Sequence, residues 1–211
     1  FNAGMDLDEY FEEARAAGPH AVREANRIHR RALTSLHDFP QPTIAKVNGW
    51  ATGGGYMVMA LCDVAFAAND ATFCISEINF GIPPGGGTMW SVLNTLDSQH
   101  AMYYALTGEP FNGNRAEELG AIHRAVPAED LDSTVANVVA EILDKNQLAL
   151  EYTKLYRDQV RNMDYARAHD YELAKGEQMK YYQGYEFLDD GVGQFTDEEY
   201  QPGRGETYDR D

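Results

Sequence analysis

Three consecutive glycines, Gly53-Gly54-Gly55, sit between two apolar stretches of different period, and that arrangement limits the folds open to the chain. Ahead of them, Thr43-Ile44-Ala45-Lys46-Val47 alternates as a half-buried strand does. Behind them, Tyr56-Met57-Val58-Met59-Ala60-Leu61-Cys62 is apolar throughout and is expected to form a buried helix. A strand that passes through glycines into a helix brings unpaired backbone N–H groups to one place. Glycine, lacking Cβ, lets another group come close to them. The helix N-terminus adds partial positive charge at the same point. Gly54 is therefore a candidate donor to a developing oxyanion. One further strand leads to Ser76-Glu77-Ile78-Asn79-Phe80-Gly81-Ile82-Pro83-Pro84-Gly85, which places the Glu77 carboxylate at the edge of an apolar run.

The rest of the chain alternates strands and helices. Asp6 or Asp8 can cap a first helix carrying Tyr10 and Phe11, and Gly18-Pro19 breaks it. A second helix keeps Val22, Ala25, Ile28, Ala32 and Leu36 on one face, with His29, Arg30 and Arg31 on the wetter side. Val64–Ala68, Thr72–Ile75 and Ala125-Val126 are expected strands; one helix is expected to carry Met89, Trp90, Val92 and Leu93, and others to run over 101–106, 115–119 and 130–146. Such alternation implies parallel pairing through crossovers, an α/β fold. From Gln147 onward only helices are expected, over 148–160 and 166–182. The resulting division is a core over residues 1–146, a helical region over 147–188 and an acidic, weakly ordered tail over 189–211. The start at Phe1, in what reads as a strand end, gives the expectation that earlier strands are missing.

Charge and composition exclude several classes. With 34 acidic against 17 basic residues the formal charge is −17, which disfavours nucleic acid or an anionic membrane as partner. Two cysteines in apolar runs make no disulfide framework, and a reduced, cytoplasmic location is the expectation. The histidines lack paired ligand spacing, and no G-x-S-x-G elbow or phosphate-loop pattern occurs, so no metal is expected.

Taken in order, Ala3-Gly4-Met5-Asp6-Leu7, Pro42–Gly49, the glycine triplet, Cys62-Asp63, Ala71-Thr72-Phe73, Ser76-Glu77 and Gly81-Ile82-Pro83-Pro84-Gly85 resemble the crotonase (enoyl-CoA hydratase/isomerase) superfamily. Gly4–Leu7 with Glu9-Tyr10-Phe11, Val47–Trp50, Ser76–Asn79 and Phe187–Asp190 are similar to its hydroxycinnamoyl-CoA (feruloyl-CoA) hydratase-lyase subgroup. The resemblance implies a ClpP/crotonase ββα spiral with a helical C-terminal trimerisation region, assembled as a homotrimer or dimer of trimers. It implies an acyl-CoA thioester substrate and no separate cofactor, CoA being part of the substrate. It assigns the oxyanion hole to the N–H groups of Met5 and Gly54, the catalytic carboxylate to Glu77, a CoA adenine contact to Ala3, and phenol binding to Tyr10. Met57 stands where plain hydratases carry a second Glu. An ungapped match puts Leu173 at the subgroup's second tyrosine, with Tyr171 two residues earlier as the substitute. Three readings stay open: hydration and retro-aldol cleavage of a 4-hydroxycinnamoyl-CoA to an aromatic aldehyde such as vanillin plus acetyl-CoA, another crotonase-type hydratase or isomerase, or a non-catalytic assembly partner.

Overall fold

A computed structural model describes residues 1–209. The chain divides into two units, one of residues 1–39 and 43–136, the other of residues 40–42 and 137 onward.

The first unit holds all six strands of the described residues. β1 (Ile44–Val47), β3 (Val64–Ala68) and β6 (Arg124–Val126) form one parallel sheet in the order β1-β3-β6. β2 (Trp50–Thr52), β4 (Thr72–Cys74) and β5 (Phe111–Asn112) form a second sheet in the order β2-β4-β5. The alternation expected of β1 is present: Ala45 and Val47 are buried and Lys46 is exposed. In β3 four successive residues, Ala65 to Ala68, are buried, as a central parallel strand requires. Two features depart from the sequence reading. Asn48-Gly49 ends β1, so that Trp50–Thr52 starts a strand of the other sheet. β5 pairs with β4 antiparallel, which the expectation of parallel pairing did not include. Both β2 and β5 are too short to leave a period in the sequence.

The helices of this unit begin with Asp8–Glu13 in π geometry, running into α1 (Ala14–Ala16) and then α2 (Pro19–His37). Asp6 is the cap residue, accepting from the Glu9 N–H at 3.0 Å. Along α2 the expected face is partly corrected: Val22, Ala25, His29, Leu33 and Leu36 are half-buried, whereas Ile28 and Ala32 are exposed. His29 lies on the inward face, its Nε2 3.6 Å from where a Cβ on Gly86 would lie. α3 (Gly54–Leu61), α4 (Thr88–Thr95), α5 (Ser98–Thr107) and α6 (Gly113–Glu118) follow. Tyr56, Met59, Phe66, Phe73, Ile75, Val47 and Val92 are fully buried between these elements. Phe73 stacks on Phe111 at 5.5 Å, and Tyr104 meets Phe111 at 4.4 Å. α7 (Leu131–Leu143) leaves this unit, with Asp132 paired to Lys46 at 2.5 Å.

The second unit is helical: α8 (Gln147–Val160), α9 (Tyr165–Tyr182), a π-helical turn over Phe187–Val192 and α10 (Gly193–Thr196). Asn146 and Asp164 cap α8 and α9 through their side chains. The described part of the acidic segment holds the Phe187–Val192 turn, α10 and a 3-10 turn over Pro202–Arg204. Tyr200 donates to the Gly191 carbonyl at 2.9 Å and Tyr208 to Glu186 at 2.9 Å. Tyrosine hydroxyls spaced along the segment supply the anchoring that its apolar content lacks. Arg210 and Asp211, also assigned to that tail, lie outside the described residues.

Candidate active site

The site is built on a close approach of two backbone segments. Asn2 lies beside β2, donating its N–H to the Trp50 carbonyl at 2.7 Å and accepting from the Thr52 N–H at 3.3 Å. Its side-chain Oδ1 accepts from the Gly4 N–H at 2.8 Å and folds the loop back over the glycine turn. The Thr52 hydroxyl donates to the Ala3 carbonyl at 3.0 Å. A Cβ at position 55 would sit 2.0 Å from the Asn2 carbonyl oxygen, so only glycine admits this packing. Gly53 has φ +50 and ψ −115, and its turn starts α3 at Gly54.

Gly54 differs from its neighbours. A methyl carbon there would lie 3.7 Å from both the Met5 nitrogen and the Gly4 Cα, an ordinary contact distance. The N–H groups of Met5 and Gly54 are thus neighbours. Gly54 opens a helix, whose first N–H groups have no partner within it. Two close donors at the positive end of α3 suit a carbonyl oxygen that gains negative charge.

Glu77 comes to the same turn from the other side. It begins a one-turn 3-10 helix, Glu77–Phe80, closed by Gly81 in the left-handed region (φ 76). Its Oε1 lies 3.4 Å, and the Ser76 hydroxyl oxygen 3.6 Å, from the position of a Cβ on Gly53. The other carboxylate oxygen, Oε2, is buried with no hydrogen-bond partner among the described residues. A buried carboxylate oxygen left unpaired is costly unless a ligand or water takes the place. Its charge is felt nearby: burial first, then Glu77, pushes the Cys74 thiol above its ordinary pKa. Met57, one turn along α3 from Gly54, is buried with its sulfur against Gly87 and offers no group for proton transfer.

Ala3, Met5, Gly54 and Glu77 therefore meet around the glycine turn, and Tyr10 belongs to the same unit. The Tyr10 hydroxyl donates to Asn26 of α2, and its ring meets Phe11 edge-on at 5.0 Å. Tyr171 is half-buried on α9 in the second unit, near Tyr152, whose hydroxyl is pushed up chiefly by burial and to a smaller degree by Tyr182 and Tyr171. Leu173 is exposed. Asn2 and Ser76 were not singled out from the sequence as site residues; each is a small polar residue whose part emerges only once distant segments meet. A cavity of about 640 Å³ lies elsewhere, in the second unit, lined by Lys145, Gln147, Gln183 and Glu186 among others, and none of the expected site residues borders it. Among the described residues no cluster of three or more His, Cys, Asp or Glu is placed to hold a metal, and no helix is long and apolar enough to cross a membrane.

Comparison with known proteins identifies the family and the fold. Residues 1–196 match the family model described as enoyl-CoA hydratase/isomerase. The chain is 36% identical over 202 residues to the hydroxycinnamoyl-CoA hydratase-lyase of Pseudomonas fluorescens, covering 94% of this chain and 72% of that protein. It is 27% identical to the peroxisomal Δ(3,5)-Δ(2,4)-dienoyl-CoA isomerase of Arabidopsis thaliana, over 81% of this chain and 65% of that one. The chain thus spans just under two thirds of the isomerase's length. Among solved structures, an enoyl-CoA hydratase of Mycobacterium smegmatis superposes with a TM-score of 0.81 at 25% identity, covering 94% of this chain and 74% of the other. The fold is that of the crotonases, and the chain belongs to the enoyl-CoA hydratase/isomerase family.

Proposed function

We propose that this protein acts on an acyl-CoA thioester, and specifically that it hydrates and then cleaves a 4-hydroxycinnamoyl-CoA such as feruloyl-CoA. The observation that carries the reading is the meeting of three groups at one turn: the Met5 and Gly54 N–H groups and the unpaired Glu77 carboxylate. The thioester oxygen sits between the two donors, and the Ala3 loop takes the CoA adenine. Water adds at the β carbon while an enolate forms at Cα, its charge on the held oxygen. Glu77 takes the proton from the water and returns it to Cα. In the second step Glu77 removes the β-hydroxyl proton and the Cα–Cβ bond breaks. The aromatic aldehyde leaves, and protonation of the same enolate gives acetyl-CoA. Both steps load one oxygen with charge, so one pair of donors serves both.

The absence of an acid or base at Met57 supports a single-carboxylate mechanism. Tyr10 supports recognition of the ring: its hydroxyl already donates to Asn26, so it meets a phenol as a hydrogen-bond acceptor. A second reading, hydration or isomerisation of other enoyl-CoA thioesters, is favoured by one observation, the exposed Leu173 at the position expected to carry the second phenol-binding tyrosine. Assembly as a homotrimer or dimer of trimers belongs to the same proposal, and light scattering tests it. Incubation with feruloyl-CoA and, separately, crotonyl-CoA distinguishes the activities. Equal amounts of vanillin and acetyl-CoA support cleavage; a hydrated product without aldehyde moves the protein to the second reading.

A further inference from the structure

Glu77 is held in an unusual way. Its Oε2 has no hydrogen-bond partner among the described residues, and the helix it opens is a single 3-10 turn. Such a turn has too few internal bonds to keep its own shape. Inside it, Asn79 N–H donates to the Ser76 carbonyl at 3.0 Å, and Gly81 N–H to the Ile78 carbonyl at 3.0 Å. The tie to the rest of the molecule is made by a side chain. Asn79 Nδ2 donates to the Gly108 carbonyl at 3.1 Å, across 29 positions in sequence. The same carbonyl accepts from the Cys74 thiol at 3.4 Å, at the end of β4 just ahead of Ser76.

Gly108 is shaped for this contact. It caps α5 in the left-handed region (φ 61), its own N–H bonded to the Tyr104 carbonyl. The Asn79 amide fills the place where any Cβ at 108 would stand, with its Oδ1, Nδ2 and Cγ at 2.4, 2.6 and 2.7 Å from that point. The side chain of 79 and the missing side chain of 108 are two halves of one fit. One carbonyl thereby pins both ends of the short path β4–Ser76–Glu77–Asn79 to the C-terminus of α5.

We propose that Asn79, seated in the notch of Gly108, is a positioning residue that sets the direction of the Glu77 carboxylate. This rests on the reading of Glu77 as the proton-transferring group. The latch acts through the backbone: freeing Asn79 lets the 3-10 turn rotate, and Glu77 then moves relative to the Met5 and Gly54 donors. Misplacement of a reacting group by about 1 Å costs on the order of 100-fold in rate. The latch also predicts a steric rule. Gly108→Ala alone must expel Asn79, whereas Gly108→Ala in an Asn79→Ala background has room for its methyl.

The test uses the full chain in four forms: wild type, Asn79→Ala, Gly108→Ala and the double variant. The readouts are steady-state turnover of feruloyl-CoA and crotonyl-CoA, thermal unfolding, and the ¹³C titration of the Glu77 carboxyl, assigned by its loss in Glu77→Gln. The expected result is a kcat lowered roughly 100-fold in Asn79→Ala with KM changed less than about threefold. The Glu77 titration curve shifts in all three variants, and the double variant unfolds at a higher temperature than Gly108→Ala alone. An unchanged kcat together with an unchanged Glu77 titration in Asn79→Ala overturns the latch, as does a double variant less stable than Gly108→Ala. If the wild type turns over neither thioester, the functional reading falls, and the carboxyl titration still decides whether Asn79 orients Glu77.

Discussion

The strand-bearing unit and the C-terminal helices bury their side chains in opposite ways. Between Ala45 and Leu131 the chain sequesters Val47, Tyr56, Phe66, Phe73, Ile75 and Val92 almost completely. In α9 no residue is buried, and Leu173, Tyr181 and Tyr182 remain exposed. α8 contributes only Tyr152 and Lys154, the lysine reaching the Gln41 carbonyl at 3.3 Å. The first unit is held by dry packing and presents rigid backbone donors, which a site for an oxyanion needs. The second is held by caps, tyrosine hydroxyls and polar contacts. A residue's expected importance should therefore follow its unit more closely than its chemical type.

The sharpest challenge to that contrast is a pair of truncations. Phe73→Ala, which removes a ring stacked on Phe111, should cost about 3–5 kcal/mol in chemical denaturation. Leu173→Ala should change stability by less than about 0.5 kcal/mol, the smallest effect expected here. Equal losses would mean that α9 is as well packed as the core. Gly54→Ala separates stability from turnover. Its methyl makes only ordinary contacts, so unfolding should barely move, while kcat should fall roughly 100-fold as the Met5–Gly54 donor pair is crowded. A parallel loss of stability and turnover would place Gly54 with Gly55 as a packing residue.

Tyr56 offers a pH test of the same core. Its hydroxyl, bonded to the Thr95 hydroxyl at 2.6 Å, is pushed up to about 12 by burial, against 10.0 in the unfolded chain. Below pH 10 both states carry the proton and this group adds no pH dependence. From pH 10 to 12 the unfolded state loses its proton first, so stability falls by about 2–3 kcal/mol across that window. Tyr56→Phe should flatten the fall in an alkaline unfolding series. An unchanged slope would mean that the phenol is not held dry.

The outcomes show what a sequence carries and what it does not. Gly54 and Glu77 could be singled out as candidates because backbone donors at a glycine turn and a carboxylate on an apolar edge leave local marks. Met5 could not; its N–H becomes a site only when Asn2 folds its loop over Gly55, a contact spanning 53 positions. It entered through family resemblance. β2 and β5 escaped because strands of three and two residues have no measurable period. On α2 apolar character alone did not mark the inward face: Ile28 is exposed while His29 faces Gly86. Asn79 leaves no local mark in the sequence, because the residue it meets, Gly108, lies 29 positions away.

The most direct test of the central claim compares wild type with Glu77→Gln on feruloyl-CoA, measuring aldehyde and acetyl-CoA while thioester binding is followed by calorimetry. Loss of roughly 10²–10⁴-fold in kcat, with binding preserved and the two products falling together, is the predicted result. Undiminished product formation by Glu77→Gln would contradict the assignment of Glu77 as the proton-transferring group.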